Sequence, residues 1–274
     1  MAEIPVTTRY FIAKGMAIAI HRGCLYGDRP YRLHLEDVEG VLTSFGVEDP
    51  EILAAGWLHD SMEILETDDK PVTRGDVSEL CGERVATIVA AVSDGQGKNR
   101  ATRKAAAYEK IVSVGYDAVI VKLADRIANI RRCLGWGRDD LASMYHKEYP
   151  AFRAALMSEW MFHGRLSEMW KELDSLDQKT TRAAQIAGWN AKAARMIRES
   201  FSLDWELVKG YVAGPALDDS RWAVKVGQFS SQQADLLKIK VGHIGPAWRG
   251  IKAVREVVCS SDQLLPVLIE SLKE

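Results

Sequence analysis

The chain has 274 residues, 47% hydrophobic and 27% charged, which is enough apolar material for one large globular domain or two smaller ones. Its 36 Lys and Arg against 38 Asp and Glu leave a formal net charge of −2. No overall field therefore draws it onto nucleic acid or an anionic membrane, and a phosphate-bearing ligand must be held locally.

Four dispersed cysteines, Cys24, Cys81, Cys133 and Cys259, form no CxxC pair, which argues against a disulfide framework or a zinc knuckle. Reduced thiols in a cytoplasm are the expectation. The first residues do not read as a signal peptide, and no apolar stretch approaches the roughly 20 residues of a membrane span.

From Arg9 to about Leu173 the pattern is a succession of helices without a convincing period-two strand, so an all-α domain is expected. A first helix over about 8 to 24 sets Ala13, Ala17, Ile20 and Cys24 at helical steps, with His21 beside Ala17 on the inward side. Gly27-Asp28-Arg29-Pro30 breaks it, and a second helix fits 34 to 45 with Val38, Val41 and Leu42 apolar. Asp49-Pro50-Glu51 is a strong start signal, with Asp as cap, Pro at the first helical position and an acid at the positive helix end, so a third helix should run from Pro50 to about Ile64. Further helices are expected over 76 to 92, 102 to 114, 117 to 134 and within 139 to 172, with Gly95-Gln96-Gly97-Lys98-Asn99-Arg100 as a basic connecting loop. A boundary near 175 divides a domain of residues 1–174 from a smaller, mostly helical accessory region, 175–274. In that region Gly and Pro punctuate short elements and Trp189, Trp205, Trp222 and Trp248 lie among scattered Lys and Arg. It carries no metal or nucleophile constellation and is open to self-association or to a protein partner.

The chemistry gathers around His59 and Asp60. They follow the apolar Trp57-Leu58, and Glu63 lies four residues after the one and three after the other, so the three side chains can converge. Two buried ionisable groups are costly unless something compensates them, and a metal ion would compensate both. Imidazole with carboxylate favours manganese, iron or zinc over calcium. His21 and Asp125, the latter after Val119-Ile120-Val121-Lys122-Leu123-Ala124, are the best candidates for the remaining ligands. The competing interpretation makes His21 a satisfied core histidine and Asp125 the ion-pair partner of an arginine such as Arg131.

A helix His, then His-Asp, then a distal Asp resembles the HD phosphohydrolase superfamily. More closely it resembles the alarmone-hydrolase branch of RelA/SpoT proteins and metazoan SpoT homologues. The matching text is His21-Arg-Gly, Pro30-Tyr31-Arg-Leu-His34, Leu58-His59-Asp60-Ser-Met-Glu63, Val121-Lys-Leu-Ala-Asp125-Arg-Ile-Ala-Asn129 and Tyr145-His-Lys-Glu-Tyr149, and it covers about residues 8 to 172. The resemblance implies an HD-domain helical bundle. It implies manganese, with Fe2+ and Zn2+ as alternatives, on His21, His59, Asp60 and Asp125. Glu63 would orient or deprotonate the attacking water, Asn129 would face a guanosine-type nucleotide, and the reaction would remove the 3′-pyrophosphate from (p)ppGpp. The metal would lower the pKa of its water and neutralise phosphate charge.

Two departures stand out. Ile64 follows Glu63 where the family has a second carboxylate, and Glu66, Asp68 or Asp69 would have to fold back to replace it. The nucleotide-facing turn reads Cys24-Leu25-Tyr26-Gly27-Asp28-Arg29, where Tyr26 can stack on a purine and Arg29 can supply charge. Lys104, Tyr108 and Lys147 are the further candidate substrate contacts. Hydrolysis of another nucleotide or phosphomonoester by the same site is one rival, and a catalytically weakened nucleotide-binding regulator is another.

Overall fold

A computed structural model describes residues 4–63, 72–93, 98–157 and 164–201, and the strand segments 206–208, 211–213, 220–226, 233–240 and 255–258. Side chains are described through residue 185 and at Gly188. Ile64, Glu66, Asp68, Asp69, loop residues 94–97, Cys259 and the side chains of Trp189, Trp205, Trp222 and Trp248 lie outside the described residues.

The chain opens with α1 (Val6–Ile20), followed by the hairpin β1 (Leu25–Tyr26) and β2 (Arg29–Pro30) and by α2 (Arg32–Ser44). The hairpin pairs Tyr26 with Arg29, leaving Gly27 and Asp28 as its two-residue loop. Gly27 has φ +71°, the positive value that such tight turns require and glycine supplies without a Cβ clash.

α3 (Pro50–Leu58) starts as expected: Asp49 accepts the Glu51 N–H, Pro50 occupies the first turn, and Glu51 meets the positive helix end. It does not run to Ile64. His59 donates from Nδ1 to the Gly56 carbonyl at 2.8 Å, the acceptor that a continued helix would offer to the Asp60 N–H, and the chain turns away after Leu58.

The helix expected over 76 to 92 is two: α4 (Arg74–Cys81), opened by a reciprocal cap between Thr73 and Asp76, and α5 (Glu83–Val92). Gly82 divides them with φ +97° and ψ 159°, a backbone region essentially reserved for glycine. Gly82→Ala is expected to cost about 1–3 kcal/mol, read as a shift in the chemical-denaturation midpoint without a change in slope. Unchanged stability would mean that the turn relaxes freely.

α6 (Arg100–Val114) is capped by Asn99, and α7 (Tyr116–Trp136), α8 (Asp139–Leu156) and α9 (Gly164–Phe201) complete the helices. The core collects Leu35, Val38 and Leu42 of α2, Ile52, Trp57 and Leu58 of α3, Ile88 and Val89 of α5, Ile111 of α6, Ile120, Leu123 and Ile127 of α7, and Phe152 of α8, all buried. Each such side chain contributes roughly 1.5–3 kcal/mol of apolar burial. Arg84 of α5 ties the starts of α3 and α7 together, donating to Asp49, Glu51 and Asp117 at 2.8 Å each.

The chain divides into two units, Met1–Asn129 with Glu148–Leu176, and Ile130–Lys147 with Asp177–Glu274. α9 runs without a break across residue 175. In the second unit Cys133, Ala142 and Ala183 form a small core with Leu134, Leu141 and Tyr145, and His146 pairs with Asp177 at 2.9 Å.

The expected all-α architecture holds for α1 through α9. The mostly helical character expected after residue 175 does not hold beyond Phe201. There the chain forms a five-stranded antiparallel sheet in sequential order: β3 (Glu206–Val208), β4 (Tyr211–Ala213), β5 (Ser220–Val226), β6 (Gln233–Lys240) and β7 (Arg255–Val258). Among the described residues, no helix is long and apolar enough to cross a membrane.

Candidate metal centre

His34 lies on the buried side of α2, one helical turn before Val38, and faces the residues that end α3. Its Nε2 is 3.2 Å from His59 Nε2. Asp60 Oδ2 lies 3.0 Å from His59 Nε2 and 3.9 Å from His34 Nε2. Asp125 Oδ1, brought in by α7, lies 3.5 Å from His34 Nε2 and 3.7 Å from His59 Nε2. His34, His59 and Asp125 thus offer three ligand atoms within 4.8 Å of one another.

With His59 Nδ1 donating to Gly56, a neutral His59 turns its Nε2 lone pair toward His34 Nε2 and the carboxylates, where a hydrogen bond from His34 or a shared cation would satisfy it. Two nitrogens and two carboxylates make a donor set that fits a divalent transition metal. Asp125 is held on both sides: Lys122 donates to Oδ2 at 2.9 Å and Asn129 donates to Oδ1. Lys122 is therefore the ion-pair partner expected of Arg131, and pairing with it leaves Asp125 Oδ1 facing the histidines.

The electrostatics follow from burial and pairing. Burial disfavours a charged His59, but Asp60 and Asp125 outweigh it and raise its pKa to about 9. Burial alone would raise Asp60 and Asp125. The cations beside them, His59 for Asp60 and Lys122 for Asp125, hold both below the usual carboxylate range. A raised histidine stabilises the fold fully below its ordinary value of 6.5, and that contribution is lost as pH rises through about 9. Chelator-treated protein is therefore expected to lose melting temperature between about pH 6.5 and 9, and metal-loaded protein, whose His59 is already deprotonated, is not. Parallel curves with and without chelator would refute this.

His21 is placed differently from the expectation. It caps α1, donates from Nδ1 to the Ala17 carbonyl at 3.0 Å, and stacks on Tyr31 with centroids 4.5 Å apart. Tyr31 in turn donates to Asp60. His21 is buried, which lowers its pKa, yet it stands outside the tight group, and His34 takes the position expected for it. Among the described residues its Nε2 has no hydrogen-bond partner.

Glu63 is half-buried in the turn after α3, where its N–H reaches the Asp60 carbonyl at 3.1 Å. Tyr26 donates to Asn129 and stacks on His34 with centroids 4.8 Å apart. Arg29 is exposed on the hairpin and Lys104 is half-buried on α6. Tyr108 is buried, edge-on to Phe152. Lys147 is exposed on α8 and belongs to the second unit.

No family model matches the chain. A zebrafish (Danio rerio) guanosine-3′,5′-bis(diphosphate) 3′-pyrophosphohydrolase is 33% identical over 113 residues, covering 39% of this chain and 60% of the relative. Over part of its length the chain is thus similar to metazoan alarmone hydrolases. The frog (Xenopus tropicalis) pyrophosphohydrolase is 26% identical over 149 residues, 52% of this chain and 80% of its own, and the Drosophila melanogaster one is 30% identical over 105 residues, 38% of this chain and 56% of its own. A solved structure of a metazoan SpoT orthologue superposes with a TM-score of 0.49 at 22% identity, over 65% of this chain and 98% of that one. The identities to the three hydrolase sequences bear out the resemblance, although this chain spans only 60% of the length of the zebrafish alarmone hydrolase.

Proposed function

We propose that the chain is a metal-dependent phosphohydrolase acting in the cytoplasm, that it removes the 3′-pyrophosphate from (p)ppGpp, and that His34, His59, Asp60 and Asp125 hold manganese. The buried meeting of two imidazoles and two carboxylates carries this reading, and the activity of the similar zebrafish and frog hydrolases supplies the substrate. A divalent cation bound there would lower the pKa of a bound water and neutralise phosphate charge. With His59 deprotonated, Lys122 and a divalent cation would together offset the charge of Asp60, Asp125 and Glu63, so the centre would not repel a polyphosphate as the bare carboxylates do.

The chain's own groups supply positioning and proton transfer. Gly56 fixes the His59 tautomer, Lys122 fixes one oxygen of Asp125, and Tyr31 fixes one oxygen of Asp60. Glu63 is the carboxylate assigned to take the proton of the attacking water. Arg29 and Lys104 are the cations assigned to the phosphates.

Ile64 favours a second reading, a regulator that binds the alarmone without turning it over, because it stands where the family has its second carboxylate. A product assay on manganese-loaded protein with (p)ppGpp and a panel of nucleoside triphosphates, with Asp60→Ala as control, decides. Pyrophosphate released from (p)ppGpp and lost in the control supports the hydrolase. Turnover of a triphosphate alone shifts the substrate, and metal binding with no turnover favours the regulator.

A further inference from the structure

Tyr26 stands at the end of a short hairpin, yet its side chain meets two groups of the metal centre at once. Its ring lies parallel to that of His34, 4.8 Å between centroids and 11° between planes. Its hydroxyl donates to the side-chain oxygen of Asn129, whose amide donates to Asp125 Oδ1, the oxygen that faces His34 and His59. The Tyr26 ring also meets Tyr31 edge-on at 5.9 Å, and Tyr31 donates to Asp60. Three of the four acid and imidazole groups are thus reached from one aromatic side chain.

We propose that Tyr26 is a positioning residue of the metal centre, acting on Asp125 through Asn129 and on His34 by stacking, rather than a platform for the nucleotide base. The inference rests on the reading of the cluster as a metal site. Asn129 is the middle link. Its oxygen is taken by Tyr26 and one amide hydrogen by Asp125, so the hydroxyl and the carboxylate together clamp the amide. Without the hydroxyl the amide keeps only its bond to Asp125 and can swing about its side chain, which would loosen the hold on Asp125 Oδ1. The ring, in turn, holds the rotation of His34 about its side chain, so that Nε2 keeps facing His59. Partners of this kind set ligand orientation and basicity, and their loss typically lowers metal affinity about 10–100-fold.

The test is titration of Co2+ and Mn2+ into the full chain, followed by cobalt absorption and manganese spin resonance. The proteins are the parent, Tyr26→Phe, Asn129→Ala, the double variant, and His34→Ala as the ligand control, each with its far-UV spectrum and melting temperature recorded. Tyr26→Phe keeps the ring and removes only the hydroxyl. It is expected to weaken metal binding by about tenfold with folding unchanged. The double variant should bind no more weakly than Asn129→Ala alone, because the hydroxyl acts through the amide.

Metal affinity unchanged in Tyr26→Phe, or penalties that add in full in the double variant, would overturn the proposal. So would a variant that binds metal normally and raises only the KM for a nucleotide. If His34→Ala binds metal as the parent does, the metal-site reading itself fails, which this control distinguishes.

Discussion

His34→Ala is expected to bind metal at least about 100-fold more weakly than the parent, beyond the range typical of outer partners, and to lose any metal-dependent turnover with it. His21→Ala should lose about tenfold or less. The two histidines are both buried, but their nitrogens do different things. His34 Nε2 lies within 3.9 Å of His59, Asp60 and Asp125 ligand atoms, and its removal leaves only one nitrogen donor in the group. His21 is one ring behind, stacked on Tyr31, whose hydroxyl donates to Asp60. Calorimetric titration of Mn2+ into both variants checks the ranking. Equal losses, or a larger loss at His21, would return the first histidine of the chain to the ligand set.

The second large effect is on stability. Asp125→Ala leaves Lys122 buried at 4% exposure without its carboxylate, and breaking such a pair by removing one partner costs about 3–5 kcal/mol. The paired carboxylate holds the ammonium pKa above its usual range, against burial. Adding Lys122→Met should restore most of the stability, since an apolar side chain of similar length fills the same space. Metal binding should stay lost in the double variant. Urea unfolding of the chelated proteins separates these roles: equal midpoints for parent and Asp125→Ala would mean that Lys122 finds another partner or reaches water.

Much of the centre was legible because its residues break an apolar pattern. His59-Asp60 after Trp57-Leu58, and Asp125 inside an apolar stretch, are expensive choices for a core, and the structure places all three together. The choice between His21 and His34 was not legible. Both sit on the buried side of a helix, and helical periodicity says which side of its own helix a residue occupies but not what that side faces. A signal was present in the spacing of His34, Val38 and Val41, which puts His34 on the core-facing stripe of α2.

The end of α3 was misplaced because a side-chain bond, His59 to the Gly56 carbonyl, replaces a backbone one. The division of α4 from α5 at Gly82 was missed because one glycine within apolar periodicity reads as a tolerated helix residue. The strands after Phe201 were missed although Trp222, Val224 and Val226 alternate with Arg221, Ala223 and Lys225. Short alternations between glycines are weak signals beside the long Ala- and Arg-rich helix before them.

The hairpin that carries Tyr26 has a loop of two residues and strands of two residues each. An element so short has almost no slack: adding or deleting a residue between Cys24 and Tyr31 moves the ring by a strand step of about 3.3 Å, farther than a stacked contact tolerates. A change in the length of this hairpin would therefore shift the centre without altering a single ligand, which makes loop length there a dial separate from the ligands themselves.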